Sequence, residues 1–289
     1  MALTGIPERD FDILLELDYP SVMAVCQVNT YTAVLCADDY FWHLKVRRDW
    51  GVDHLKPEYE TFRQQYDYLF RVQNPNEAAG DGRLDALELF EANGALPDWI
   101  GVNRAVRNGH VNVLEWLEER EIFTTPLNAN DAAASGHLDV LEWLEERGVL
   151  PTSLGVSLAV KYGRTDVLDW LEARQLLPSQ HDTFVAAANG HVNVLEWLEQ
   201  RGVLPNLVGA NEAAGGGHLE VLKWLEKRRI LPDFHGANEA VASGQIEVLN
   251  WLYERGIKPD FRFDNLLQRY ITPRTREWLA EKRIYSGLY

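Results

Sequence analysis

The chain has 289 residues, 46% of them apolar and ten of them Trp, with a formal net charge of −16. That composition excludes a disordered segment, the negative balance argues against a phosphate backbone as partner, and no apolar run reaches the roughly 18 residues of a membrane span. Cys26 and Cys36 give neither a disulfide framework nor a metal pattern, and the opening MALTGIPERD lacks a signal-peptide core, so a soluble intracellular chain in a reducing compartment is expected.

Residues 1–51 do not repeat. Pro7 at a helix start, then Phe11, Leu14, Leu15 and Leu17 before the break at Asp18-Tyr19-Pro20, predict a first helix. Ser21 can cap a second helix through Val28, and Phe41-Trp42 opens a third element. In the connecting stretch, residues 52–75, Tyr59, Phe62, Tyr66, Leu69 and Phe70 fall on one helical face. They are expected to join the head to the first repeat and to cap the exposed end of that repeat.

From residue 76 to 289 the chain repeats with a period of 27. Gly82, Gly109, Gly136, Gly163, Gly190, Gly217 and Gly244 share one column, and Trp116, Trp143, Trp170, Trp197, Trp224, Trp251 and Trp278 share another. A fixed period in this range signals a solenoid whose units cover one another. Each unit reads as two helices. Asp98, Thr125, Thr152, Ser179, Asn206, Asp233 and Asp260 form an N-cap column, and a first helix runs from there to the glycine column, where a left-handed residue can close it. In the second helix of one unit, Leu138, Val140, Leu141, Trp143 and Leu144 cover about 220° of arc at ~100° per residue. An apolar arc that wide needs partners on several sides, which stacking supplies. The segment RTREWLAEKRIYSGLY closes the array with Arg274, Arg276, Glu277 and Glu281 outward.

The recurring polar columns invite chemical readings. His110, His137, His191 and His218 lie one or two repeats apart, roughly 8–10 Å per repeat, too far to share a metal, and are expected to bond the turn between helices. Arg120, Arg147, Arg174, Arg201, Arg228 and Arg255, with Lys282, suit a helix C-terminus and packing over the Trp four residues earlier. The acidic ladder Glu118, Glu145, Glu172, Glu199 and Glu226 is expected to be solvated. No phosphate loop, Ser-His-Asp set or Cys-His pair appears, so neither catalysis nor a cofactor is expected.

The first helices expose residues 100, 103, 104 and 107 and their equivalents. Asn103, Asn130, Asn211, Asn238 and Asn265 are nearly constant there, as inter-repeat hydrogen bonding would require. The other positions vary as a partner-facing surface does: Arg104, Arg107, Asp131, Leu154, Leu158, Lys161, Tyr162, Phe184, Val185, Glu212 and Glu239. Apolar Leu154, Leu158, Phe184 and Val185 grouped among polar neighbours suggest a protein-binding hot spot on a concave face.

These residues carry two resemblances. The G-H-x-x-V-L-x-W-L-x-x-x-G core resembles the ankyrin repeat, but the T-P-L-H opening is absent and the period is six residues shorter than that family's. The shortfall lies between units, where ankyrins project β-hairpin fingers. The expected fold is therefore all-α, a helical head joined to a solenoid of about seven to eight units without fingers. Ile6-Pro7, Leu17-Asp18, Val25-Cys26 and Phe41-Trp42 through Asp49-Trp50-Gly51 resemble the F-box, although Asn29 stands where that family has an aromatic. The resemblance implies binding of a Skp-type subunit of a cullin ubiquitin ligase through Ile6, Pro7, Phe11, Leu14, Leu17 and Val25. An F-box-like head on short ankyrin-like repeats also resembles a family abundant in giant DNA viruses of amoebae, which implies a host-cytoplasmic location. The expectation is a monomeric, non-enzymatic adaptor holding a target on the concave face, with no nucleic-acid or membrane partner. The alternative is a scaffold or sequestering protein that recruits no ligase.

Overall fold

Capping side chains at one end and left-handed glycines at the other cut the repeated phrase into pairs of short helices. The computed structural model describes residues 13–28, 30–50, 60–71, 74–260 and 271–284. Among them all regular structure is helical, no strand occurs, and no helix is long and apolar enough to cross a membrane. The chain falls into two compact bodies, Met1–Ile122 and Phe123–Tyr289.

In the N-terminal body, α1 (Tyr19–Cys26), α2 (Thr30–Ala37), α3 (Asp39–Trp50) and α4 (Phe62–Arg71) form a head. Its core is Leu14, Val22, Leu35, Phe41, Trp42, Val46 and Tyr66. The buried Lys45 ammonium donates to the carbonyls of Leu15 and Leu17 at 3.0 and 2.7 Å and pairs with Asp49, which also accepts from the Tyr66 hydroxyl. Every polar atom that enters this core through Lys45 is therefore matched. Two repeats come next, α5 (Pro75–Gly80) with α6 (Leu84–Ala92) and α7 (Trp99–Asn108) with α8 (Val111–Glu118), and Leu89 of α6 packs on the head core.

One expectation fails in the head. Cys26 and Cys36 form a disulfide that ties α1 to α2. A separation of 10 in sequence says nothing of pairing until a helical hairpin brings the two Cα atoms to 5.8 Å. The expected reducing compartment loses the support it drew from unpaired cysteines.

The C-terminal body carries the pairs α9 (Pro126–Ser135) and α10 (Leu138–Glu146), α11 (Ser153–Lys161) and α12 (Thr165–Glu172), α13 (Gln180–Ala188) and α14 (Val192–Glu199), α15 (Leu207–Gly215) and α16 (Leu219–Glu226), and α17 (Phe234–Ala242) and α18 (Ile246–Glu254), closed by α19 (Pro273–Glu281). The cap column behaves as its chemistry dictates. Thr152 accepts from the Leu154 N–H, while Ser179 and Asp182 close a reciprocal capping box. Gly136, at φ 90°, closes α9 in the left-handed region that costs other residues strain.

The second helices form the wall. Val140, Leu141, Trp143 and Leu144, and their equivalents in α12, α14, α16 and α18, are buried, the repeat tryptophans to 9% exposure or less. Burying one such indole contributes several kcal/mol, as an upper estimate. Over each Trp lies the arginine four residues on: the Arg228 guanidinium stacks 3.5 Å from the Trp224 ring centroid and donates to the Trp224 carbonyl at 2.8 Å. The same guanidinium reaches back to both carboxylate oxygens of Glu199 in the preceding repeat. Arg174–Glu145, Arg201–Glu172 and Arg255–Glu226 repeat the clamp, and Arg120–Glu91 forms one in the N-terminal body. The expectation that Glu145, Glu172, Glu199 and Glu226 are simply solvated is corrected: each is held below the usual carboxylate range by the hydrogen bond from its arginine. The expected stacking of Arg on Trp holds, except that Lys282 lies near Tyr253.

Candidate partner-binding face of the first helices

The first helices pack more tightly on one another than the second helices do, through small side chains such as Ala129, Ala132 and Ala133. Their contact is fastened by a polar clasp. The Oδ1 of Asn130 accepts the main-chain N–H of Thr152, the next N-cap, at 2.8 Å, and its Nδ2 donates to the Thr152 hydroxyl at 3.1 Å. Asn211 clasps Asp233 in the same way, Asn238 accepts the Asp260 N–H and donates to the Asp260 main-chain carbonyl, and Asn76 accepts from Asp98 in the N-terminal body. This bears out the reading of the Asn column at Asn130, Asn211 and Asn238; Asn265 lies outside the described residues. At two of these clasps a glycine stands opposite: a Cβ on Gly155 would lie 2.6 Å from the Asn130 Oδ1, and one on Gly236 2.7 Å from the Asn211 Oδ1. Where Ser157 replaces the Asn, its hydroxyl donates to Asp182 of the next repeat at 2.5 Å. The junction stays polar and closed.

At Phe184 it does not. The cap 22 residues on, Asn206, still accepts from its own Val208 N–H at 2.9 Å, but among the described residues no side chain takes the Asn206 main-chain N–H. Gln180 bridges the gap differently, donating to the Leu204 carbonyl at 2.7 Å. The glycine that stands opposite the clasps of Asn130 and Asn211 is nevertheless present as Gly209, and the phenyl edge lies against it. Around this break the surface is apolar: Leu154, Tyr162, Leu207 and Val208 are 51%, 49%, 45% and 49% exposed, and Leu158, Phe184 and Val185 are half-buried.

The charged candidates distribute unevenly. Glu212 on α15 and Glu239 on α17 are exposed and one repeat apart, and neither helix carries Lys or Arg. The Glu239 carboxyl is held above its ordinary value, first by partial burial and then by the Glu212 charge, against an opposing contribution from His235. Lys161 is exposed and Asp131 half-buried on the same body, whereas Arg104 and Arg107 are exposed on the other. Of the head residues, Ile6, Pro7 and Phe11 lie outside the described residues, Leu14 is buried in the head core, and Leu17 and Val25 are half-buried against it.

The histidines do what the turn requires. His191 and His218 each bond a carbonyl of the preceding repeat, that of Lys161 and that of Ala188, at 2.7 Å, and Arg164 donates to the Ala134 carbonyl from the equivalent place. Among the described residues no group of three or more His, Cys, Asp or Glu side chains could hold a metal. On the second-helix side a cleft of about 410 Å³ is lined by Val192, Glu196, Glu220, Lys223, Trp224, Glu226 and Lys227, but Glu220 is paired with Lys223 and Glu226 with Arg255.

No protein-family model and no curated protein matches the sequence. Among solved structures, the chain is similar to the pentatricopeptide repeat protein PPR10 from maize, at 16% identity and a TM-score of 0.38 over 100% of this chain and 52% of that one. It also matches two structures of PPR10 in complex with an 18-nt psaJ RNA element, one of them a triple cysteine-to-serine variant, at 14% and 13% identity, each with a TM-score of 0.30 over 97% of this chain and 54% of that one. The chain thus spans about half the length of these structures. The expectation of no nucleic-acid partner is corrected: proteins matched by this chain include one bound to RNA, and a net charge summed over 289 residues does not exclude a local basic site.

Proposed function

We propose that this chain is a non-enzymatic repeat scaffold that holds a protein partner on the first-helix face of α11 to α17, centred on Phe184. One observation carries the reading. Phe184 abandons the clasp that Asn130, Asn211 and Asn238 make and the polar substitute that Ser157 makes, although Gly209 and Asn206 keep the room and the cap that an Asn would use. A departure from a local rule that the flanking residues still accommodate is expected at functional positions, and an aromatic among exposed aliphatic side chains is the composition of a binding hot spot. The test is affinity purification with the full chain and with Phe184→Asn and Val208→Asp. A specific partner lost on both variants, with helicity and melting temperature retained, supports the reading; partners retained by both would end it.

A second reading concerns the head. Its F-box-like sequence and the exposed apolar Val28, Val34 and Tyr40 favour docking of a Skp-type ligase subunit, which would make the scaffold a ubiquitin-ligase adaptor. Purified Skp-type subunit giving no complex with the folded chain in size-exclusion chromatography would remove it and leave the scaffold reading intact.

A further inference from the structure

Given the first-helix face proposed above, its chemistry specifies the occupant. From Phe184 toward the C-terminus the face changes from apolar to acidic: Phe184 and Val185 on α13, Val208 and then Glu212 on α15, Glu239 on α17. The two carboxylates repeat at the 27-residue period, so they stand one above the other on successive first helices. Small residues between them hold those helices close; a Cβ on Gly215 would stand 2.7 Å from the Glu239 Oε2. Helices in such contact are about 8–10 Å apart. An extended peptide advances about 3.3 Å per residue, hence about three residues for each repeat it crosses.

We infer that the face binds an extended basic segment of a protein, which sets an apolar residue against Phe184 and a Lys or Arg three residues away against Glu212 and another six residues away against Glu239. Charge selects the class. Two like-charged carboxylates with no Lys or Arg on either helix repel each other, His235 acting only on Glu239 as the smallest contribution, and a cationic side chain between them relieves that repulsion. Among the described residues neither carboxylate belongs to a group of three that could hold a metal ion. Phosphate groups would meet repulsion at both positions. The raised Glu239 carboxyl accords with a negative pair awaiting a counter-charge.

The test pans a phage-displayed library of random dodecapeptides against the full chain, then measures selected peptides by fluorescence anisotropy. Enriched sequences should carry an apolar residue with Lys or Arg three and six residues from it. Affinity should fall at least tenfold on Phe184→Asn and on Glu212→Lys with Glu239→Lys, and peptides with Lys changed to Glu should regain binding to the charge-reversed variant. Peptides lost on Phe184→Asn yet neutral or acidic, and indifferent to the charge reversal, would overturn the basic class while leaving the face in place. Peptides indifferent to Phe184→Asn would overturn both, and a library yielding no binder would overturn the extended-segment inference. Displacement of a selected peptide by an 18-nucleotide oligouridine would assign the face to RNA and also overturn it. Matching far-ultraviolet circular dichroism and melting temperatures for all variants keep loss of fold from passing as loss of binding.

Discussion

In the C-terminal body the second helices and the first helices are built from equally regular repeats and differ in what the regularity serves. Along the second-helix row the Val, Leu, Trp and Leu columns vary little and the Arg–Glu clamp recurs, because each side chain is cover for the next repeat as well as its own. Along the first-helix row only the Ala, Gly, Asn and cap columns hold, because backbones must approach there and little else is required. The remaining positions are free of structural demand, and that freedom is where Leu158, Val185, Glu212 and Glu239 replace one another in a single column. Constancy marks the wall; departure from constancy marks the face.

Single substitutions can break that division. Trp224→Ala removes a buried indole and should cost about 3–5 kcal/mol, with the Arg228 clamp lost at the same time. Leu154→Ala, on the half-exposed first-helix side, should stay within about 0.5 kcal/mol. Urea unfolding of the two variants measures the contrast, and equal losses would erase it. A smaller effect comes from copying the broken junction onto an intact one. Asn130→Phe removes the acceptor from the Thr152 N–H and the donor from its hydroxyl, and should cost about 1–2 kcal/mol.

The reverse exchange sharpens the comparison. Phe184→Asn places the clasp against Gly209 and Asn206, which already match Gly155 and Thr152 in role. Phe184→Ala gives up the phenyl and gains nothing. The Asn variant should therefore be more stable than the Ala variant by about 1–2 kcal/mol, the net worth of the two hydrogen bonds, while both lose the partner. Equal stability of the two would mean that the clasp does not form there and that Phe184 is no departure at all.

Much of this was legible in the sequence because it repeats. Period, caps, glycine stops and buried tryptophans emerge from columns 27 residues apart. What escaped depends on pairs that join one column to another. Glu199 and Arg228 are 29 residues apart and Asn130 and Thr152 are 22 apart, so a reading column by column sees a solvated acid where there is a clamp. The same limit hid the meaning of Phe184: its place in the Asn column and the presence of Gly209 had to be read together. The Cys26–Cys36 bond depends on how two short helices turn back on each other, which composition does not encode.

The smallest predicted effect sets the two rows against each other by pH. Glu239 has a folded pKa raised above the ordinary 4.5, so the fold prefers it protonated. Its contribution is fully present below 4.5 and is lost as pH rises through the raised value, with Glu212 and His235 as the charges facing it. The clamp carboxylates Glu145, Glu172, Glu199 and Glu226 have lowered values, so their contribution is present above 4.5 and is lost as pH falls through those depressed values. Glu239→Gln should thus raise the melting temperature slightly at pH 7 and leave it unchanged at pH 4, whereas Glu199→Gln should lower it at pH 7 and converge on the native chain under strongly acid conditions. Melting curves from pH 7 to pH 3 read both, and shifts of the same sign in the two variants at neutral pH would mean that the first-helix carboxylates are structural partners like those of the wall, with no charge held out for another molecule.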